Sequence, residues 1–167
     1  NKALEIVEAK WLFDLEPSQI EVILHPQSIV HSLVEFVDGS VVAQMSVPDM
    51  RTPIQYAFTF PERAAGTARS LDLAEVGALT FERPDRSKFP SLELGYRAAE
   101  AGGTLGAVLN AANEVAVELF LARRIRFPEI FDVVRRVMDR HRVVAHPSLE
   151  EILQADAWAR QEARWNF

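Results

Sequence analysis

Thr104-Leu-Gly-Ala-Val-Leu-Asn-Ala-Ala-Asn-Glu-Val-Ala-Val-Glu-Leu-Phe-Leu-Ala122 returns to an apolar residue every three or four positions, with Val108, Ala111, Val115, Leu119 and Ala122 on one stripe. Such spacing follows the helical period and predicts a long amphipathic helix with one face buried. Working outward, Ser91 begins a preceding helix that Gly102-Gly103 stops, since glycine readily takes the left-handed conformation that ends helices. Downstream, Pro128 opens a third helix with the stripe Phe131, Val134, Met138 and His141. Ser148 and Glu151 have the Ser-x-x-Glu spacing of a capping box ahead of a fourth. Four amphipathic helices on short loops predict an all-α four-helix bundle over 86–167.

The first third of the chain reads differently. Asn1 can cap a helix whose apolar stripe is Leu4, Val7 and Trp11, broadened by Ile6 and Phe13, with Pro17 ending it. Ile20 to Leu24 is short, apolar and β-branched, a buried-strand candidate that stops at His25-Pro26. Ser32–Val37 and Ser40–Met45 flank Asp38-Gly39, a dipeptide favoured in two-residue type I′ turns. Pairing outward from that turn sets Phe36 against Val41 and Val34 against Ala43, a hairpin with one apolar face. Val47 to Arg51 is a loop, after which Thr52 caps a short helix with Pro53 at its first position. From Pro61 the pattern decays, with one short strand expected near Ala78–Phe81. The fold class expected is an α/β (α+β) unit with a β-hairpin over 1–60, a linker over 61–85, and the bundle.

Composition bounds the function. With 49% hydrophobic and 25% charged residues, the 167-residue chain can bury a core. No apolar run approaches the roughly 18 residues of a membrane span. A net charge of −6 argues against nucleic acid as the main partner. The basic cluster Arg123, Arg124, Arg126 sits near a helix end, where it complements the helix dipole. The absence of cysteine excludes disulfides and thiolate chemistry and fits a reducing compartment. The opening Asn1-Lys2-Ala3-Leu4-Glu5 has neither an initiator Met nor a signal-peptide pattern, and reads as the start of a piece of something longer.

Four stretches could carry chemistry. Asn1, Lys2 and Glu5 share the first turn of a helix, so an amide, an ammonium and a carboxylate converge where free N–H groups favour an anion. Glu5 could hold a hard divalent cation there; an ordinary capped helix start with solvated charges gives the same pattern. His25-Pro26-Gln27-Ser28-Ile29-Val30-His31 places two imidazoles and a hydroxyl between strand candidates, suited either to proton transfer or to structural hydrogen bonds. No usual zinc spacing accompanies them. Pro48 and Met50 can wall an apolar pocket or simply belong to a connecting loop. Asn110, Asn113 and Glu114 are expected to bond neighbouring backbone, and His141 and His146 to cap or lie on the surface. GxGxxG, P-loop and nucleophile-elbow patterns are absent.

Taken together, Asn1-Lys-x-Leu-Glu5, His25-Pro-Gln-Ser-Ile-Val-His31-Ser-Leu-Val, Asp38-Gly-Ser-Val-Val-Ala-Gln44, Pro48-Asp-Met-Arg-Thr-Pro53 and Leu109-Asn-Ala-Ala-Asn-Glu-Val115 resemble the 1-deoxy-D-xylulose 5-phosphate reductoisomerase family in order and spacing. The resemblance covers essentially the whole chain. It implies the second half of a catalytic domain, a linker and a C-terminal bundle. The implied activity is isomerisation of 1-deoxy-D-xylulose 5-phosphate and its NADPH-dependent reduction to 2-C-methyl-D-erythritol 4-phosphate, with Mg²⁺ or Mn²⁺ as Lewis acid.

By the same resemblance Glu5 is a metal ligand, and Glu5 and His31 are catalytic. Asn1, Lys2, Glu5, Ser28 and His31 bind the phosphosugar substrate, and Pro48 and Met50 touch the cofactor ring. His25 stays structural. A homodimer without nucleic acid or membrane is implied, cytoplasmic in a bacterium and plastidial in a plant. The remaining metal ligands and the nucleotide domain would lie upstream of Asn1, so these 167 residues alone are expected to be inactive. The competing reading is a non-catalytic helical binding or assembly module of the same descent, with an exposed apolar bundle face.

Overall fold

The computed structural model describes residues 1–165. Among them are seven α-helices and one two-stranded antiparallel sheet, so the chain is mainly helical. In order these are α1 (Lys2–Phe13), β1 (Val30–Glu35), β2 (Val41–Met45), α2 (Arg51–Thr59), α3 (Leu73–Val76), α4 (Pro90–Ala101), α5 (Leu105–Leu121), α6 (Glu129–Arg140) and α7 (Leu149–Arg164). A 3₁₀ turn spans Pro17–Gln19. The chain divides into two compact units, residues 1–22 with 84–167, and residues 23–83.

In the larger unit α5 is the central helix. It buries Leu105, Val108, Leu109, Ala111, Ala112, Val115, Ala116 and Leu119, a stripe broad enough to be covered on several sides. Its small residues let α7 approach closely with a ridge of Ala155, Ala159 and Ala163, four residues apart. From α6, Ile130, Val133, Val134, Val137 and Met138 enter the same core. Gly102 (φ 62°) and Gly103 (φ 51°) end α4 where the sequence places the stop. Ser148 and Glu151 close their capping box at the head of α7 in both directions, at 3.3 and 2.8 Å.

The compact units cut the chain at different points from the 1–60, 61–85 and 86–167 division expected from sequence. The first helix, expected with the hairpin, packs on α4 and α5 instead. Its buried side chains are Ala3 and Ile6, and Ile6 lies in a cluster with Leu92 and Ala99. Gly95 makes this contact possible, because a Cβ there would stand 2.6 Å from the Ala3 Cα. Trp11 and Phe13, part of the stripe read from sequence, are exposed on this chain, as is Leu12. Ile20 and Val22 pack partly buried beside Ile6, and the expected strand through Leu24 is only an isolated bridge to Glu82.

The smaller unit holds the hairpin, in a register one residue away from the expected one. Ser32 pairs with Gln44, Leu33 with Ala43, Val34 with Val42 and Glu35 with Val41. The turn is longer than two residues: Phe36 N–H donates to the Ser40 carbonyl and Gly39 N–H to the Phe36 carbonyl, each at 2.9 Å. Gly39 takes φ 81°. This is the three-residue loop in which a left-handed glycine follows a type I turn, which Asp-Gly supports as well as it supports type I′. A one-residue shift moves every side chain to the opposite face relative to its partner. The single apolar face therefore does not form on this chain; Leu33 and Val41 on one side and Val34, Val42 and Phe36 on the other are all exposed.

Helix α2 also begins earlier than expected, with Met50 at the N-cap and Pro53 inside the first turn. The Asp49 carboxylate accepts from Arg51 N–H at 2.9 Å and fixes that start. Proline is tolerated there because first-turn N–H groups have no helical partner.

Candidate functional site

The larger unit carries Asn1, Lys2 and Glu5 on one turn, as expected. Glu5 N–H donates to the Asn1 carbonyl at 2.9 Å, closing the first turn of α1. The Lys2 ammonium donates to a Glu5 carboxylate oxygen at 2.5 Å, with the two side chains 60% and 46% exposed. Exposed to this degree, the ion pair adds little stability, and either partner can be recruited by another charge. The Asn1 side chain caps nothing within its helix. An ammonium, an uncapped amide, a carboxylate and the positive end of a helix dipole are thus presented together. Glu5 offers a hard oxygen ligand of the kind Mg²⁺ or Mn²⁺ takes. Among the described residues no cluster of three or more His, Cys, Asp or Glu could hold a metal ion.

The smaller unit carries the other expected positions. His31 falls at the β-bulge where the ladder shifts between Val30 and Ser32. Bulges often re-aim a side chain beside a functional site. Its Nε2 lies 3.1 Å from the Ser46 carbonyl. A carbonyl can only accept, so Nε2 carries the hydrogen, and Nδ1 of the neutral ring is left as an acceptor. Ser28 is a non-glycine residue at φ 51°, in a turn closed by Ser28 N–H donating to the His25 carbonyl at 3.1 Å. A serine in the left-handed region is uncommon, and Asp14 and Arg123 share that conformation here. Ser46 N–H donates to the Ile29 carbonyl at 3.0 Å, so Ser28–His31 and Met45–Pro48 run side by side at the end of the hairpin away from its turn.

The Pro48–Met50 loop is held from within. Asp49 accepts from the Arg51 backbone at 2.9 Å and from the Arg51 guanidinium at 2.5 to 3.0 Å. The Arg51 side chain, then its backbone N–H, lowers the Asp49 carboxyl to about 2. With Asp49 fixed, Pro48 and Met50 stand exposed, Met50 at 70%. Asp49 and Ser46 were not singled out from sequence, although Asp-x-Arg before a helix signals a side-chain turn.

His25 is structural here. Its Nδ1 donates to the Thr80 carbonyl at 2.9 Å, and its ring stacks on Phe81 with centroids 4.6 Å apart. Gln27 fastens the same loop to the Thr80 hydroxyl at 2.9 Å. Asn110 and Glu114 join side chains rather than backbone. Asn110 donates to Glu114 at 3.0 Å, and Glu114 accepts from Arg160 at 2.8 Å. Arg160, followed by Asn110, holds the Glu114 carboxyl below its ordinary range.

Residues 45–162 match the DXP reductoisomerase C-terminal domain. A 1-deoxy-D-xylulose 5-phosphate reductoisomerase of Pelotomaculum thermopropionicum is 61% identical over 160 residues, covering 96% of this chain and 41% of the relative. One of Symbiobacterium thermophilum is 60% identical over 98% of this chain and 42% of its own length. The chain belongs to the DXP reductoisomerase family. A crystal structure of DOX-P reductoisomerase in complex with NADPH, fosmidomycin and magnesium superposes with a TM-score of 0.91 at 44% identity, over 98% of this chain and 42% of that one. The Zymomonas mobilis reductoisomerase in complex with NADPH gives 0.90 at 42% identity, over 98% and 43%. The chain thus spans under half the length of the family members it matches.

Proposed function

We propose that the complete protein containing this chain is an NADPH-dependent 1-deoxy-D-xylulose 5-phosphate reductoisomerase, and that the chain supplies its C-terminal part. On this reading it isomerises the phosphosugar and reduces the product to 2-C-methyl-D-erythritol 4-phosphate. The observation that carries the proposal is the Asn1–Lys2–Glu5 turn, in a chain 61% identical to a protein of that name.

When bound, Mg²⁺ or Mn²⁺ supplies a Lewis acid for developing oxyanions and NADPH supplies the hydride. Glu5 would hold the ion through one carboxylate oxygen, and Lys2 would bind the anionic substrate with the first N–H groups of α1. Asn1 hydrogen-bonds a substrate hydroxyl. Ser28 offers a hydroxyl to the substrate, and His31 accepts a hydrogen bond at Nδ1 while Ser46 fixes its ring. Pro48 and Met50 present apolar surface to the nicotinamide and exclude water from it. The C-terminal helices act as a four-helix bundle, residues 1–60 as part of the catalytic domain and 61–85 as the link. The working enzyme is a homodimer in a reducing, cytoplasmic setting. Among the described residues no helix is long and apolar enough to cross a membrane.

The test is NADPH oxidation by the complete protein, requiring both 1-deoxy-D-xylulose 5-phosphate and Mn²⁺. Lys2→Ala should raise KM for the phosphosugar by at least about tenfold, the loss of a charge-assisted contact, and leave KM for NADPH unchanged. Substrate-independent oxidation, or none, would refute the assignment.

A further inference from the structure

The Asn110-Ala-Ala-Asn113-Glu114 run of α5 is only half explained by the ion pairs above. Asn110 is spent on Glu114 and Glu114 on Arg160, but among the described residues Asn113 makes no hydrogen bond through its side chain. It lines a cavity of about 80 Å³ with Asn1, Ser91, Ala3, Leu4, Leu94, Leu109, Phe131 and Val134. Three polar side chains share this otherwise apolar recess: Asn1 from the head of α1, Ser91 from the start of α4 and Asn113 from the middle of α5. Asn113 and Ser91 are half-buried. Polar groups that line such a recess can be met by water held within it. The volume is several times the roughly 10–15 Å³ one water needs, and three polar walls give a water the contacts that hold it.

We propose that Asn113, with Ser91, is a positioning residue for the Asn1–Glu5 turn, acting on Asn1 across this cavity through bridging water. The contact couples the helical core to the group that binds substrate and metal, and so rests on the functional reading above. It adds a polar hold to the steric seat that Gly95 gives Ala3, so that the turn is fixed in position and in orientation. Neither Asn113 nor Ser91 touches the reacting atoms.

Two readouts on the complete protein test this. The first is independent of catalysis: amide exchange at Glu5 and Ile6, in the first turn of α1, compared between wild type, Asn113→Leu and Asn113→Gln. Asn113→Leu keeps the volume and removes the amide, and should speed exchange there about tenfold while α5 and α6 stay protected. Asn113→Gln keeps an amide with room to reach Asn1 and should restore most of the protection. The second readout is the KM-against-kcat split, in which Asn113→Leu raises KM for the phosphosugar and leaves KM for NADPH unchanged.

Unchanged exchange at Glu5 in Asn113→Leu would overturn the proposal. If that variant loosens α5 itself, Ser91→Ala carries the same measurement, and unchanged exchange there is equally fatal. A wild-type protein that fails to turn over would refute the functional reading alone, since the exchange result still decides the positioning role.

Discussion

Gly95 has no side chain because none fits. A Cβ would lie 2.6 Å from the Ala3 Cα and 2.7 Å from the Ala3 carbonyl oxygen, both backbone atoms that cannot swing aside. Gly95→Ala should therefore push the first turn of α1 off α4, at about 1–3 kcal/mol for overpacking. In the complete enzyme kcat/KM for the phosphosugar should fall more than that destabilisation explains, because Asn1, Lys2 and Glu5 flank Ala3; a melting curve and kinetics on one preparation check this. The same scale shows what sequence makes legible. Asn1, Lys2 and Glu5 could be placed on one turn from helical spacing alone, because that geometry is local. The closeness of Gly95 to Ala3 spans two distant segments, and no periodicity announces it. His31 could be singled out by residue type, but its place at a bulge and its hydrogen bond to Ser46 depend on strand pairing.

At the scale of elements, the join of α5 and α6 has a pH-dependent component. His141, at the end of α6, has its Nε2 2.7 Å from the Thr104 hydroxyl, which also accepts from Val144 N–H at 3.1 Å, and its ring lies 5.1 Å from that of Trp158. Burial lowers its pKa from 6.5. A histidine lowered in the folded state binds fewer protons folded than unfolded, so its contribution is complete above pH 6.5 and is lost as pH falls through the folded value. The melting temperature should accordingly drop below that pH in wild type, and drop less in His141→Gln; parallel curves would contradict the assignment.

The alanine ridge of α7 makes a second claim. Ala159, fully buried against α5, leaves no space for Leu, so Ala159→Leu should cost about 1–3 kcal/mol in a denaturant titration. Helix boundaries in this half were legible because caps and glycine stops are local signals. The hairpin register was not, because Asp-Gly serves two turn lengths and only the rest of the ladder chooses between them.

Across the whole molecule, the smaller unit exposes apolar residues on both faces of its hairpin, and the larger unit exposes Trp11, Leu12 and Phe13. Neither feature follows from periodicity, which registers that a stripe is apolar and not what it meets. The division at residues 22 and 84 was equally hidden, since it rests on α1 packing against a helix some 90 residues away in sequence. With Glu5 the single carboxylate proposed for the metal and no dinucleotide fingerprint in the sequence, the 167-residue chain given phosphosugar, NADPH and Mn²⁺ should oxidise no NADPH above background. Ordinary turnover would show that these residues hold more of the machinery than Glu5 implies.

The proposed role of Glu5 as an oxygen ligand beside Lys2 is reached directly by one titration: the Mn²⁺ dependence of phosphosugar-driven NADPH oxidation in the complete protein carrying Glu5→Gln. The predicted result is a requirement for about 10–100-fold more Mn²⁺, a lower kcat even at saturation, and an unchanged KM for NADPH. A Mn²⁺ curve and kcat that coincide with wild type would contradict it.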